Sequence, residues 1–150
     1  SNEEAEAFIQ GYFANYPGIK QYMNQCIQKA AALGYVETML KRRRYLPEIR
    51  STNRQIREFA ERTAINTPIQ GSAADMIKLA MIDIHGWIES EKVPARMILQ
   101  VHDELVFEVS ETVVAEISQK IKELMTRAMS LQVPLLVETG FGAHWLAAHE

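Results

Sequence analysis

A single cysteine, Cys26, in 150 residues rules out an internal disulfide, and its place on the apolar face of a helical pattern makes it a buried thiol rather than a reactive one. Long apolar runs are missing too. Apolar runs such as those at residues 80–82 and 134–137 are far too short to span a bilayer, and no signal-peptide pattern opens the chain. These absences point to an intracellular protein of a reducing compartment, with no membrane partner. Neither H-x-x-x-H nor C-x-x-C spacing occurs, so zinc has no obvious ligand set. Internal repeats, low-complexity stretches and an abrupt change of composition are likewise lacking. What remains is 47% hydrophobic, the composition of a chain that buries a core.

Net charge is only −3, but it is unevenly spread. Residues 41–62 carry eight basic against three acidic side chains, an excess of +5, while the other 128 residues carry −8. The distribution, more than the sum, bears on nucleic-acid binding.

Ser1-Asn2-Glu3-Glu4 has the form of a capping box and opens a helix that ends near Tyr16. Pro17 suits the first position of a second helix, whose apolar face includes Ile19, Met23, Cys26, Ile27 and Ala30 and which Gly34 stops. Residues 35–40 and 44–49 read as short strands, with Pro47 confining the second to an edge or an end. A helix is expected over residues 53–65, broken by Thr67-Pro68, and another from a Ser72–Asp75 capping box to about Ser90. Two strands at 96–101 and 105–109 flank His102-Asp103-Glu104, and a helix capped by Ser110 and a last strand at 135–138 follow. The order predicts an α+β fold: a helical hairpin plus a small antiparallel sheet covered by long helices.

Three constellations carry chemistry. Asp103 and Glu104, mounted at a hairpin tip, serve either turn geometry and solvation or the binding of a hard divalent cation such as magnesium. His102 beside them reads by itself as a turn histidine. The basic residues at 41–62, with Tyr45 among them, form either a solvated face or a stripe that follows a phosphate backbone. Asn66 and Gln70, four apart, either cap a helix break or bond base edges.

Taken in order, GYVETMLKRRRYLPEI, FAERTAINTPIQGSAADMIKLAM and QVHDELVFEV, with Gly142 and Trp145 in the tail, closely resemble the carboxyl-terminal fingers and palm portion of the family A DNA polymerases, the bacterial DNA polymerase I family. The resemblance spans essentially the whole chain. It implies that residues 1–34 are the carboxyl-terminal part of the fingers subdomain and 35–150 part of the palm. It implies that Asp103 is a ligand of two catalytic Mg2+ ions and Glu104 an auxiliary catalytic carboxylate. His102 and Gln100 then lie near the primer terminus, Asn66 and Gln70 meet the minor groove of the primer-template, and Arg43, Arg44 and Arg62 contact primer-template DNA. The implied reaction joins a deoxynucleoside triphosphate to a primer 3′ hydroxyl, in a bacterial cytoplasm and in association with the nucleoid.

The sequence also departs from the family's pattern. A second palm aspartate, in a motif of the D-Y-S-Q-I-E-L-R kind, and a fingers helix with Lys, Arg and Tyr are absent from it. The chain alone is therefore expected to be inactive, and its unpaired sheet edge to favour self-association. Lys41 stands where relatives have Gly or another residue before the arginines. Two other functions fit single features: a non-catalytic nucleic-acid-binding module resting on the basic stripe, and a small metal-dependent hydrolase using His102, Asp103 and Glu104.

Overall fold

A computed structural model describes residues 1–149, in two compact units, Ser1–Ser72 and Ala73–Glu150. The first unit begins with α1 (Asn2–Asn15), where the Ser1 hydroxyl accepts the Glu4 N–H and the Glu4 carboxylate reaches back to the cap. Helix α2 (Pro17–Leu33) starts on its proline and closes on Gly34, which adopts the left-handed conformation. Arg50 then donates to the carbonyls of Ala31 and Ala32, supplying a cation and donors where a helix end leaves carbonyls unpaired.

Strands β1 (Tyr35–Glu37) and β2 (Arg43–Tyr45) pair antiparallel, Tyr35 opposite Tyr45 and Glu37 opposite Arg43. Both are shorter than their patterns suggest. A loop takes residues 38–42, with Lys41 in the positive-φ region at 67°, and Pro47 opens a turn of 3-10 helix instead of ending a strand. The hairpin, α2 and the start of α3 share a core of Ala30, Val36, Leu46, Ile49, Ala60 and Ala64.

Helix α3 runs unbroken from Arg54 to Glu91 with Pro68 inside it, where the sequence pattern predicts two helices. An interior proline forfeits one helical hydrogen bond and costs about 3 kcal/mol. Side-chain and backbone bonds from the β1–β2 loop offset that cost. The Ser72 hydroxyl donates to the Pro68 carbonyl and accepts the Met39 N–H at 2.9 Å, and an Arg42 guanidinium nitrogen donates to the Gly71 carbonyl at 3.0 Å. Ser72 is thus a mid-helix clip rather than a cap. Gly71 makes the close approach possible, since a Cβ there would stand 2.6 Å from the Thr38 methyl.

The second unit holds the rest of α3, the hairpin of β3 (Ala95–Val101) and β4 (Glu104–Val109), and α4 (Val114–Thr126). Ala80, Ile84 and Ile88 of α3 join Ile117, Ile121 and Leu124 of α4 in one buried cluster, against which Ala95, Met97, Leu105, Phe107 and Val109 of the hairpin pack. The strand expected at 135–138 does not form. A strand needs a ladder partner, and among the described residues β3 and β4 pair only with each other. The α+β class holds, with two two-stranded antiparallel sheets rather than one. No helix among the described residues is long and apolar enough to cross a membrane.

Candidate functional site

The ladder pair Val101–Glu104 closes the β3–β4 hairpin, leaving His102 and Asp103 as its two-residue loop. His102 has φ of 54°, while Asp103 is not positive. That sign pattern belongs to a type II′ turn, which favours glycine at the first loop position. Histidine there stores strain of about 1–3 kcal/mol, an outlier of the kind that clusters at functional sites. The Gln100 side chain holds the turn on one side, donating to the His102 carbonyl at 3.1 Å. All four side chains, Gln100, His102, Asp103 and Glu104, are exposed.

The register explains which face each takes. Met97 pairs with Phe107 but Leu99 with Val106, so Ile98 is a surplus residue bulged from β3. Beyond the bulge Gln100 stands opposite Leu105 and Val101 opposite Glu104. Cross-strand partners share a face. The strict alternation read from the sequence would instead put Leu99 on the side of Leu105.

Glu104 has a partner that the candidate positions did not include. Both of its carboxylate oxygens lie 3.2 Å from Nε2 of His149. The other ring nitrogen, Nδ1, faces the Trp145 carbonyl at 2.8 Å, and the Trp145 and His149 rings lie 4.5 Å apart. A carbonyl and a carboxylate only accept hydrogen bonds, so both contacts are made together by the doubly protonated ring. The Trp145 carbonyl first, and Glu104 second, raise the His149 pKa above its usual value. Trp145 stood out in the tail pattern, but nothing local to the tail pointed to residue 104.

In the first unit, Arg62, Asn66 and Gln70 succeed one another at four-residue spacing along α3 and are all exposed, so they line one face. The Arg62 guanidinium lies 5.9 Å from the Phe59 ring centroid. The two neighbouring arginines of β2 differ sharply. Arg43 is engaged, its Nε donating to Glu37 at 3.1 Å and its guanidinium lying 4.5 Å from the Tyr35 ring centroid. Glu37 takes a second cation, Lys29, at 3.7 Å, and its pKa is lowered, by the Arg43 hydrogen bond above all. Arg44, on the opposite face of the strand, makes only a 3.5 Å contact with the Thr67 hydroxyl among the described residues. Arg44 is therefore the better placed of the two to meet an outside phosphate.

Hard oxygen donors of the Asp103 type suit magnesium. Their number does not. Among the described residues no group of three or more His, Cys, Asp or Glu is placed to hold a metal ion, and both Glu104 oxygens already face a histidine. Of the two carboxylates at this turn, Asp103 is the one open toward a metal, which is not a complete site.

The family model described as DNA polymerase family A matches residues 1–147, and the chain belongs to that family. Among particular relatives, it is 50% identical over 148 residues to DNA polymerase I of Geobacillus stearothermophilus, covering 99% of this chain and 17% of the relative. It is 51% identical over 147 residues to DNA polymerase I of Pseudomonas aeruginosa, covering 98% and 16%. A solved structure described as the POL domain of Pol1 from M. smegmatis in complex with DNA primer-template and dNTP superposes with a TM-score of 0.96 at 49% identity, over all of this chain and 26% of that one. The chain thus spans about a sixth of the length of the curated relatives.

Proposed function

We propose that this chain supplies one metal ligand and part of the DNA-binding surface of a template-directed DNA polymerase. The reaction transfers a deoxynucleoside monophosphate to a primer: the 3′ oxygen bonds the α-phosphorus, the bond to the bridging oxygen breaks, and pyrophosphate leaves. The observation that carries this reading is the family match across residues 1–147, within which Asp103 stands exposed on the tip of a strand-mounted turn. Residues 1–34 are assigned to the fingers and 35–150 to the palm.

Asp103 is the ligand this chain contributes, and Glu104 is auxiliary to it. Divalent cations held in such a site lower the pKa of the attacking hydroxyl and stabilise the leaving oxygens. Since one carboxylate does not make that site, no step is assigned to the chain alone. Gln100 and His102 flank the turn where a primer end would lie. Asn66 and Gln70 carry both donors and acceptors, suited to the minor-groove acceptors that all base pairs share. Such contacts test pair geometry and are blind to sequence. Arg44 and Arg62 are assigned to backbone phosphates, with Arg43 supporting the β1–β2 hairpin beside them. Sheets of two strands leave outer ladder edges, through which copies of the chain are expected to associate at high concentration.

The test is a chimera in which this chain replaces the matched residues of Geobacillus stearothermophilus DNA polymerase I. Primer extension is expected from the chimera and none from the 150-residue chain alone; a chimera that folds and binds primer-template but extends nothing refutes the assignment. Arg62→Ala in the chimera is expected to weaken primer-template binding alike for all sequences and to reduce the slope of log affinity against log salt by about 1. Anisotropy titrations at several salt concentrations read both quantities. The exposed Arg62-Asn66-Gln70 face would equally serve a non-catalytic binding module, and extension by the chimera separates the two.

A further inference from the structure

The carboxyl-terminal segment is built with unusual closeness around a single contact. Gly140 has no room for a side chain, since a Cβ there would overlap the Ala148 carbonyl oxygen, and one at Gly142 would stand 2.8 Å from Ala147. The Ala147 N–H bonds Nδ1 of His144 at 3.2 Å, and the Ala148 N–H bonds the His144 carbonyl at 3.2 Å. Trp145 supplies a ring face and a carbonyl to His149. What this small fold presents outward is the remaining nitrogen of His149, equidistant from the two oxygens of Glu104.

The hairpin loop needs such a support. His102 is strained and Asp103 is exposed at the tip. Hydrogen bonds from two side chains flank the loop: Gln100 on the His102 carbonyl, and His149 on Glu104. We propose that His149 is a positioning residue, which holds the Glu104 carboxylate against the carboxyl-terminal segment, fixes the orientation of the His102-Asp103 turn, and leaves Asp103 as the one carboxylate of the pair open to a divalent cation. This rests on the reading of Asp103 as a polymerase metal ligand. Glu104 acts on the metal site through the backbone it steadies. Residues that orient a ligand from behind affect activity about 10- to 100-fold when removed, because misplacement of the reacting groups by an ångström is enough.

The experiment is a double-mutant cycle in the chimera with His149→Ala, Glu104→Gln and both. His149→Ala is expected to lower the single-turnover incorporation rate about 10-fold or more, with primer-template Kd and the thermal midpoint unchanged. Glu104→Gln is expected to do the same, and the double variant to be no slower than the slower single one. An unchanged rate in His149→Ala, losses that multiply in the double variant, or a loss confined to primer-template Kd overturns the proposal. In the 150-residue chain itself, the ring 15N resonances of His149 are expected to shift on Glu104→Gln; their constancy also overturns it. Full incorporation by Asp103→Ala refutes the polymerase reading instead, and the nitrogen resonances distinguish that failure from absence of the Glu104 contact.

Discussion

Asp103→Ala in the chimeric polymerase is expected to cut the single-turnover incorporation rate by at least about 10³-fold, since losing an anchor for transition-state charge costs several kcal/mol and each 1.36 kcal/mol is tenfold. Stability is expected to stay within about 0.5 kcal/mol, as for surface substitutions remote from any packing or network. Asp103 is exposed, it follows the strained loop residue, and it lies outside the buried cluster. The signature is thus a split: chemistry lost, with primer-template Kd and thermal midpoint retained. Quench-flow incorporation, anisotropy and thermal unfolding measure the three separately. Loss of rate that merely tracks a fallen midpoint would show Asp103 to be structural.

Ile84→Ala is expected to do the reverse. Its side chain is 0% exposed and belongs to the cluster that joins α3, α4 and the inner face of the β3–β4 hairpin. Truncating a buried isoleucine to alanine costs about 2–5 kcal/mol, whereas Ile84→Val costs about 0.5–1.5 kcal/mol, because the cavity left behind is smaller. Urea unfolding of the 150-residue chain should show the midpoint falling a little on Ile84→Val and much further on Ile84→Ala, with little change in slope. Below the transition, the chimera carrying Ile84→Ala should retain its rate per folded molecule, since no group at the turn has changed. An unshifted midpoint would mean that the second unit draws its stability from elsewhere.

How legible these features were depended on how local their causes are. The capping box at Ser1, the proline start of α2, its left-handed stop at Gly34 and the existence of the β3–β4 hairpin all follow from neighbours within a few residues, and they form as read, save that the hairpin bulges at Ile98 and takes Glu104 into its ladder. Pro68 misled because its penalty is offset by Met39 and Arg42, some 30 residues away in sequence. The segment at 135–138 misled in the opposite sense. Its apolar, β-branched character is real, but a strand exists only with a partner, and composition does not supply one.

The candidate site divides the same way. The mounting of Asp103 could be read from two alternating arms around a polar turn, but the continuous Arg62-Asn66-Gln70 face could not, because Thr67-Pro68 reads as a break that α3 runs through. What separates Arg43 from Arg44 could not, since it depends on which strand face meets Glu37. Nor could the union of Glu104 with His149, a contact 45 residues apart in sequence. The left-handed conformation at Lys41 lies between: the departure from glycine was visible, but only the backbone shows that the position asks for one.

The bulge at Ile98 bears on how this hairpin tolerates change in length. Because Ile98 has no partner in β4, the ladder on either side of it is already in phase. Deleting it closes the gap without moving the tip, and inserting a neighbour only widens a loop that exists. A deletion or insertion within the paired arms, residues 99–101 or 104–106, has no such slack. It would shift the pairing beyond it by one residue and turn each side chain there to the opposite face. Variation in length therefore belongs at the bulge, and the paired residues 99–101 and 104–106 are the part whose count is fixed.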